Sequence, residues 1–244
     1  MKPKMIDIVT KFLAEMTGVT TVVFFGCMGC TNHPDQPTGL IYHAFTFAMA
    51  IMAMIHIFDC VSGAHFNPAI TVSAIINKKI TPTMAVVYMA GQLLGGFIGY
   101  GLLKLAIPQS YMPGSFCVTK VNPELSFVQG TMIEAFATGV LIVVICGVWD
   151  HRNAGALSTL TLKIGFAILS LALATGHWTG CSLNPARSFG PALWNQDFEG
   201  HWVYWIGPMC GGAAGGSLYR YVFYREPVVE RREVPLEELT ALKG

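Results

Sequence analysis

Two copies of the tripeptide Asn-Pro-Ala stand in matching places in the two halves of this chain, beginning at Asn67 and Asn184. An asparagine side chain carries two N–H donors and one carbonyl acceptor. Asparagine is a good helix N-cap, and proline suits the first helical position that follows it. Two such caps that face each other would gather amide donors and positive helix ends around one point. That point would repel cations and hydrogen-bond the oxygen of a neutral molecule.

A glutamate precedes each motif at nearly the same distance. Glu15 comes 52 residues before Asn67, and Glu134 comes 50 residues before Asn184, each inside an apolar stretch. Each glutamate opens a three-helix unit that contains its own motif, which predicts an internal repeat over about 8–104 and 128–223. Because three spans is an odd number, the second copy enters the membrane inverted.

The composition indicates that these motifs lie in a bilayer. Of the 244 residues, 53% are hydrophobic and only 12% are charged. A helix of about 20 residues spans roughly 30 Å of hydrocarbon, and no polar helical faces remain to suit a soluble enzyme. We therefore predict an all-α integral membrane protein with six transmembrane helices and two re-entrant half-helices. The six predicted spans are 11–29, 40–58, 82–104, 128–148, 158–176 and 202–223.

The basic residues predict the orientation, because cytoplasmic loops carry an excess of lysine and arginine. With both termini inside, the cytoplasmic face collects nine of them, whereas loop 31–39 has none. The polar tail 226–244 is interpreted as a solvated cytoplasmic end, with a regulatory or partner-binding helix as the alternative. The net charge of +1 indicates no particular partner, and we expect no nucleic acid. The nine basic residues are Lys2, Lys4, Lys78, Lys79, Arg152, Arg220, Arg225, Arg231 and Arg232.

The seven cysteines do not form the pattern of a disulfide framework. Cys30 and Cys117 fall in predicted outer loops, where they either pair or stay free, and Cys181 stands three residues before the second asparagine. No metal-ligand spacing occurs, so no metal or cofactor is expected. Four further cysteines lie in or at spans and are predicted to be small buried hydrophobes: Cys27, Cys60, Cys146 and Cys210.

The segments after the motifs, 69–76 and 186–193, are apolar but only about 12 Å long as helices, too short to cross. We interpret them as re-entrant half-helices. The stretches before the motifs, 62–66 and 179–183, then need irregular backbone at membrane depth, which is tolerated only where it lines a wet cavity. Their carbonyls, including that of His65, would form a ladder of acceptors along a path.

Glu15 and Glu134 have two possible roles. As acids inside spans they could couple protons, as in pumps. Alternatively, their carboxylates accept hydrogen bonds from the N–H groups of the two re-entrant loops, and their repeat-related placement favours this second role. Gln92 in the third span is assigned a similar scaffolding part.

At these motifs the chain resembles the aquaporin (major intrinsic protein) superfamily. The stretches 62–69 (Ser-Gly-Ala-His-Phe-Asn-Pro-Ala) and 184–190 (Asn-Pro-Ala-Arg-Ser-Phe-Gly) match its two signatures, and the likeness covers roughly 8–225. The resemblance implies a channel domain over 1–225, one pore per subunit and a homotetramer. It also implies a plasma-membrane channel and not an enzyme.

The resemblance further assigns four side chains to an outer constriction. Arg187 directly follows the second motif, Cys181 lies three residues before it, and Phe47 lies 20 residues before Asn67. The fourth position, nine residues before Cys181, holds histidine in water-selective members and Ala172 here. A junction shorter by five residues would bring His177 to that position instead.

Replacing an imidazole by a methyl group should widen the constriction and make one wall apolar, which suits glycerol or urea as well as water. The pattern resembles the insect glycerol-transporting branch, the entomoglyceroporins. Markers outside the narrowest ring favour a strictly water-selective channel, which stays the alternative. These markers are Ser188, Ala192, Tyr204 and Trp205.

Two other classes are considered. A secondary transporter also uses inverted repeats, but it needs ligands for a coupling ion, and both intramembrane acids are assigned to scaffolding. A structural junction protein of the same fold would be indicated by a bulky residue in place of Ala172, which is not what this sequence has.

Overall fold

The computed structural model describes residues 3–31 and 39–227, without the side chains of residues 3–4 and 156–158. Most of loop 31–39 and of the predicted tail 226–244 therefore lies outside the described residues. The described part confirms the all-helical prediction. Its eight α-helices are α1 Pro3–Met28, α2 Leu40–Ser62, α3 Pro68–Ile76, α4 Pro82–Ala106, α5 Phe127–Trp149, α6 Leu160–Thr179, α7 Pro185–Asn195 and α8 Val203–Leu218.

The helix bounds differ from the predicted spans at several ends. α1 begins at Pro3 instead of residue 11. α2 runs on to Ser62 instead of residue 58 and stops where Gly63 adopts a left-handed φ of 79°, a usual C-terminal signal. The span predicted at 202–223 consists of the 16-residue helix α8 followed by a π-helical segment, Tyr219–Phe223. The spans were predicted from apolar residues, which mark the part of a helix in contact with hydrocarbon. The more polar helix ends beyond that part were therefore not included.

Five helices of the described residues are long and apolar enough to cross a membrane: α1, α2, α4, α5 and α6. Large apolar side chains point away from the bundle, among them Leu105, 85% exposed, and Phe136, 78% exposed. A bundle that is apolar outside as well as inside suits lipid.

The packing of the helices reproduces the predicted repeat. α1 packs along α4 in the first half as α5 packs along α8 in the second. Each half-helix also packs against the last helix of the other half, α3 on α8 and α7 on α4. The two repeats are therefore interlocked, and both half-helix starts point into the middle of the bundle.

Two glycines allow this exchange of half-helices. A Cβ added to Gly96 in α4 would overlap the carbonyl oxygen of Ala186 at the start of α7. A Cβ added to Gly212 in α8 would overlap the carbonyl oxygen of Ala69 at the start of α3. Membrane helices approach this closely only where small residues form the contact.

We predict that Gly96→Ala and Gly212→Ala each destabilise the protein by about 1–3 kcal/mol, because neither backbone can move without displacing a half-helix. The matched control is Gly147→Ala in α5, where the nearest atom to an added Cβ, Tyr219 Oη, lies 3.8 Å away. Thermal unfolding in detergent should show a lower Tm for the first two variants only. An unchanged Tm for both would contradict the interlocking contacts.

Candidate functional site

The first re-entrant loop is tied to α1 by one buried carboxylate. Glu15 accepts hydrogen bonds from the backbone N–H groups of His65 (3.0 Å) and Phe66 (2.7 Å) and from the Ser62 hydroxyl (2.6 Å). The Gln92 amide in α4 donates a fourth bond, at 2.7 Å. The carboxylate thus accepts hydrogen bonds from donors at membrane depth, where the hydrocarbon offers no other acceptor.

The second loop repeats the arrangement on α5. Glu134 accepts hydrogen bonds from the backbone N–H groups of Ser182 (2.9 Å) and Leu183 (2.8 Å) and from the Thr179 hydroxyl (2.6 Å). Neither Glu134 nor Glu15 is among the described residues that line the central cavity. This geometry is the one that the scaffolding role predicts, and the assignment of that role stays a prediction.

Both loops adopt the same unusual backbone. Four residues other than glycine have left-handed φ angles: Ala64 (47°) and Phe66 (53°) in the first loop, Cys181 (47°) and Leu183 (54°) in the second. Such angles cost energy and persist only where the surroundings enforce them. All four residues lie in stretches that line the cavity, 63–66 and 180–183, where the ladder of carbonyl acceptors is predicted.

The two asparagines cap their half-helices and bind each other's loops. Asn67 Oδ1 accepts from Ala69 N at 2.8 Å, and Asn184 Oδ1 accepts from Ala186 N at 3.0 Å. The Nδ2 of Asn67 donates to Leu183 O at 2.7 Å, and the Nδ2 of Asn184 donates to Phe66 O at 2.8 Å. Each amide nitrogen carries a second N–H, which these bonds leave for a solute.

A cavity passes these asparagines. Leu40 and Asp59, near the two ends of α2, both line it, and 19 residues of α-helix rise roughly 28 Å. The lining therefore extends over nearly the thickness of a bilayer core. It includes Asn67, Asn184 and His65, whose Nδ1 lies 3.2 Å from Thr71 Oγ1. The cavity has the length of a transmembrane path.

The four residues assigned to the constriction line this same cavity: Phe47, Ala172, Cys181 and Arg187. The guanidinium of Arg187 lies over the Phe47 ring, 4.6 Å from its centroid. Ala172 packs in a cluster with Ala44 and Ala48 of α2, and Cys181 contacts that cluster. Here the cavity is therefore lined both by small apolar side chains and by one fixed positive charge.

His177 is not among the described residues that line the cavity. It lies exposed near the end of α6, with its ring 5.4 Å from the Trp178 ring. The alternative register, in which His177 returns to the constriction, is not the one the structure adopts. The cavity-lining residue one turn beyond Ala172 is Gly176, which adds no bulk.

Arg187 is held by the connection between α4 and α5, residues 107–126. Its Nη1 donates to Cys117 O at 3.0 Å. The Tyr100 hydroxyl donates to Phe116 O at 2.7 Å, and the Thr119 hydroxyl donates to Ser188 Oγ at 2.8 Å. Farther along, Lys120 forms an ion pair with Asp197 at 2.7 Å, which lowers the pKa of that carboxyl. The connection thus forms part of the constriction wall.

The structure joins Cys30 and Cys117 by a disulfide, the alternative that the sequence left open. Cys27 and Cys146 are buried as predicted. The prediction is wrong for Cys60 and Cys210, which are exposed, because they lie on helix faces turned away from the bundle.

Sequence reasoning missed several residues that line the cavity. Asp59 escaped notice because the predicted span ended at residue 58. His43 and Trp149 lie at helix ends with no motif around them. The Cys117 carbonyl carries no signal in sequence, because any residue has a carbonyl. Of these, a longer second span would have revealed Asp59.

Comparison with known proteins agrees with this architecture. The profile of the family described as Major intrinsic protein matches residues 2–219. The lens fiber major intrinsic protein of Lithobates pipiens is 35% identical over 231 residues, 95% of this chain and 86% of that protein. Aquaporin-2 of Bos taurus is 36% identical, over 95% of this chain and 83% of the relative. Human aquaporin-4 is 37% identical over 84% of this chain, which spans 62% of that relative's length.

Among solved structures, the X-ray structure of the aquaglyceroporin from Plasmodium falciparum superposes with a TM-score of 0.79. It is 26% identical in sequence, and the match covers 88% of this chain and 96% of that one. These relatives support a membrane channel and not an enzyme, whereas the resemblance to the insect branch stays a prediction. With its inverted repeats, two capped half-helices and family signatures, the chain belongs to the major intrinsic protein family.

Proposed function

We propose that this protein is a passive channel for water and small uncharged solutes, including glycerol and urea. The channel domain spans 1–225 and the tail 226–244 is cytoplasmic, with both termini inside a plasma membrane and four copies in a homotetramer. The single observation that carries the solute range is that Ala172, which offers a methyl group in place of an imidazole, lines the same cavity as Arg187.

The lining of the path supports passive transport of neutral molecules. Asn67 and Asn184 present N–H donors, and the re-entrant loops present carbonyl acceptors, so a hydroxyl-bearing solute exchanges its water for fixed partners. A cation meets two positive half-helix ends and the charge of Arg187. Glu15 and Glu134, the two carboxylates at the re-entrant loops, are bound to backbone N–H groups and are not offered as sites for a coupling ion. Asp59 lines the cavity near the end of α2.

The shape of the constriction supports a solute with two different edges. Ala44, Ala172 and Gly176 contribute only small apolar surface, while the face of the Phe47 ring is covered by the Arg187 guanidinium. Arg187 supplies donors to the same cavity. Glycerol has a CH edge and a hydroxyl edge that match these two kinds of surface, and urea is narrow enough to fit the same gap.

The strictly water-selective alternative rests on Ser188, Ala192, Tyr204 and Trp205. None of these four is among the described residues that line the cavity. The Tyr204 hydroxyl instead donates to Thr179 O at 2.9 Å, and Ser188 bonds Ser182 and Thr119. Because these four residues do not line the cavity, we infer that the residues of the constriction determine the solute range.

Restoring an imidazole at the constriction should separate the two alternatives. In Ala172→His the added ring narrows the gap, and a barrier higher by about 2–3 kcal/mol slows glycerol roughly 30- to 150-fold. Water permeability should stay within a few-fold, because water is smaller than either gap. Stopped-flow light scattering of proteoliposomes measures both fluxes.

The control for this variant is His177→Ala, which alters a histidine of the same helix outside the cavity and should change neither flux. If His177→Ala alone opened the channel to glycerol, the assignment of Ala172 would be wrong. The same conclusion would follow if Ala172→His passed glycerol as fast as the unmodified protein.

We further predict conduction without ionic current. The facing half-helix ends and Arg187 impose a barrier for cations, while neutral solutes find donors and acceptors throughout. Planar bilayers or voltage-clamped cells should show protein-dependent water flow and no current of protons or sodium. Such currents with Asn67 and Asn184 intact would contradict the mechanism.

Cys181 should be the site of block by mercurials. It is a free cysteine that lines the cavity, whereas the other two cysteines of the lining are joined in the disulfide. Mercury on its sulfur would occlude the constriction, and Cys181→Ser should abolish most of the block while still conducting. The control is Cys210→Ser, an exposed thiol away from the cavity, and equal block in both variants would contradict this placement.

A further inference from the structure

The position of the Arg187 guanidinium depends on one backbone carbonyl. Its Nη1 donates to Cys117 O at 3.0 Å, and its Nη2 lies 3.6 Å from Cys117 Sγ. The residue is only 7% exposed, so most of its hydrogen bonds must be made to the protein and few to water of the path. A buried guanidinium that loses an acceptor must find another nearby.

The backbone that directs this carbonyl is itself unfavourable. Cys117 has a φ of 53°, in the left-handed region, although it is not a glycine. This conformation costs of order 1 kcal/mol or more for an L-residue and persists only where the surroundings impose it. Hydrogen bonds fix Phe116 and Thr119 on either side, but the covalent restraint on Cys117 is the disulfide.

The other half of the disulfide belongs to a rigid element. Cys30 lies two residues beyond the end of α1, and its backbone N–H donates to Cys27 O at 3.0 Å, which ties it to the last turn of that helix. The bond therefore fastens the α4–α5 connection to the end of a transmembrane helix, across 87 residues of sequence. Both cysteines are partly exposed and line the cavity, so a small reagent reaches them from the aqueous end of the path.

We propose that the Cys30–Cys117 disulfide is a reducible positioning element for the constriction, so that its redox state sets how well the channel conducts solutes larger than water. With the bond intact, the Cys117 carbonyl keeps Arg187 against the wall. With the bond broken, Cys117 relaxes from its left-handed conformation and turns its carbonyl away. The guanidinium then bonds to carbonyl oxygens of the 180–183 stretch, which line the cavity, and narrows the path.

The chemical step is a thiol–disulfide exchange. A dithiol such as dithiothreitol attacks one sulfur as a thiolate, and its second thiol displaces the mixed disulfide. Two electrons and two protons pass to the protein, which gains the thiols of Cys30 and Cys117, while the reagent closes to a cyclic disulfide. A disulfide reagent such as oxidised glutathione reverses the step.

The test uses folded channel already reconstituted in vesicles, so that failure to fold cannot imitate the result. Dithiothreitol should lower glycerol permeability about three- to tenfold, because the displaced guanidinium exchanges one charge-assisted hydrogen bond for others and narrows the path. Water permeability should fall measurably but less, and oxidised glutathione should restore both. Cys30→Ser should have the low glycerol permeability of the reduced wild type, and dithiothreitol should not change it. Cys210→Ser should lose glycerol permeability on reduction as the wild type does.

This inference rests on the proposed function of solute conduction. The experiment distinguishes failure of the inference from failure of the proposed function. Vesicles that pass glycerol equally before and after reduction, with the two thiols shown to be free by alkylation and mass spectrometry, would overturn this inference and leave the proposed function standing. Vesicles that pass no glycerol, but whose water permeability dithiothreitol lowers reversibly, would overturn the glycerol range and uphold the positioning role.

Discussion

Backbone at the middle of a membrane must find hydrogen-bond partners within the protein, and the rest of this structure depends on how that requirement is met. Each half of the chain breaks a helix there and begins another. The carboxylates of Glu15 and Glu134 take the donors of the two breaks, at distances of 2.6 to 3.0 Å. The residues of the two breaks, 63–66 and 180–183, line the cavity. One constraint thereby produces both the fold and the polar lining.

The two halves are alike in this skeleton and differ in what they add to it. Gln92 supports the first carboxylate, while Pro208 stands at the corresponding place in α8. The residue after the first motif is Ile70, whereas Arg187 follows the second, and both line the cavity. If the two inverted repeats had the same residues, the two ends of the path would be identical. These substitutions give it one charged constriction, at the end where Phe47 and Ala172 lie.

The sequence was sufficient for the fold because its strongest signals are local. Apolar stretches long enough to cross, paired motifs and matching glutamates all fall within fixed distances along the chain. The exchange of half-helices between repeats was not predicted, although the glycines that permit it, Gly96 and Gly212, lie in glycine-rich patches whose composition indicates close packing. The composition of a glycine-rich patch does not indicate which other helix packs against it.

The contacts of Cys117, in the connection between α4 and α5, could not be predicted. The connection 107–126 has no periodicity, so nothing in it indicates that the Cys117 carbonyl meets Arg187. The Cys30–Cys117 bond joins loops 87 residues apart, and spacing alone could not decide whether it forms. The small apolar surface at Ala172 was predicted, but Ala44 and Gly176, which line the cavity with it, were missed because they matter by the atoms they lack.

The central claim is that a cavity lined by fixed donors and acceptors, and narrowed by Arg187 against a small apolar wall, admits glycerol. The most direct measurement is stopped-flow swelling of vesicles that hold the unmodified protein, in matched gradients of sucrose, urea and glycerol. The account predicts that vesicles in glycerol and urea shrink and then reswell at a rate set by the amount of protein, whereas those in sucrose only shrink. Shrinkage without reswelling in all three gradients would contradict it.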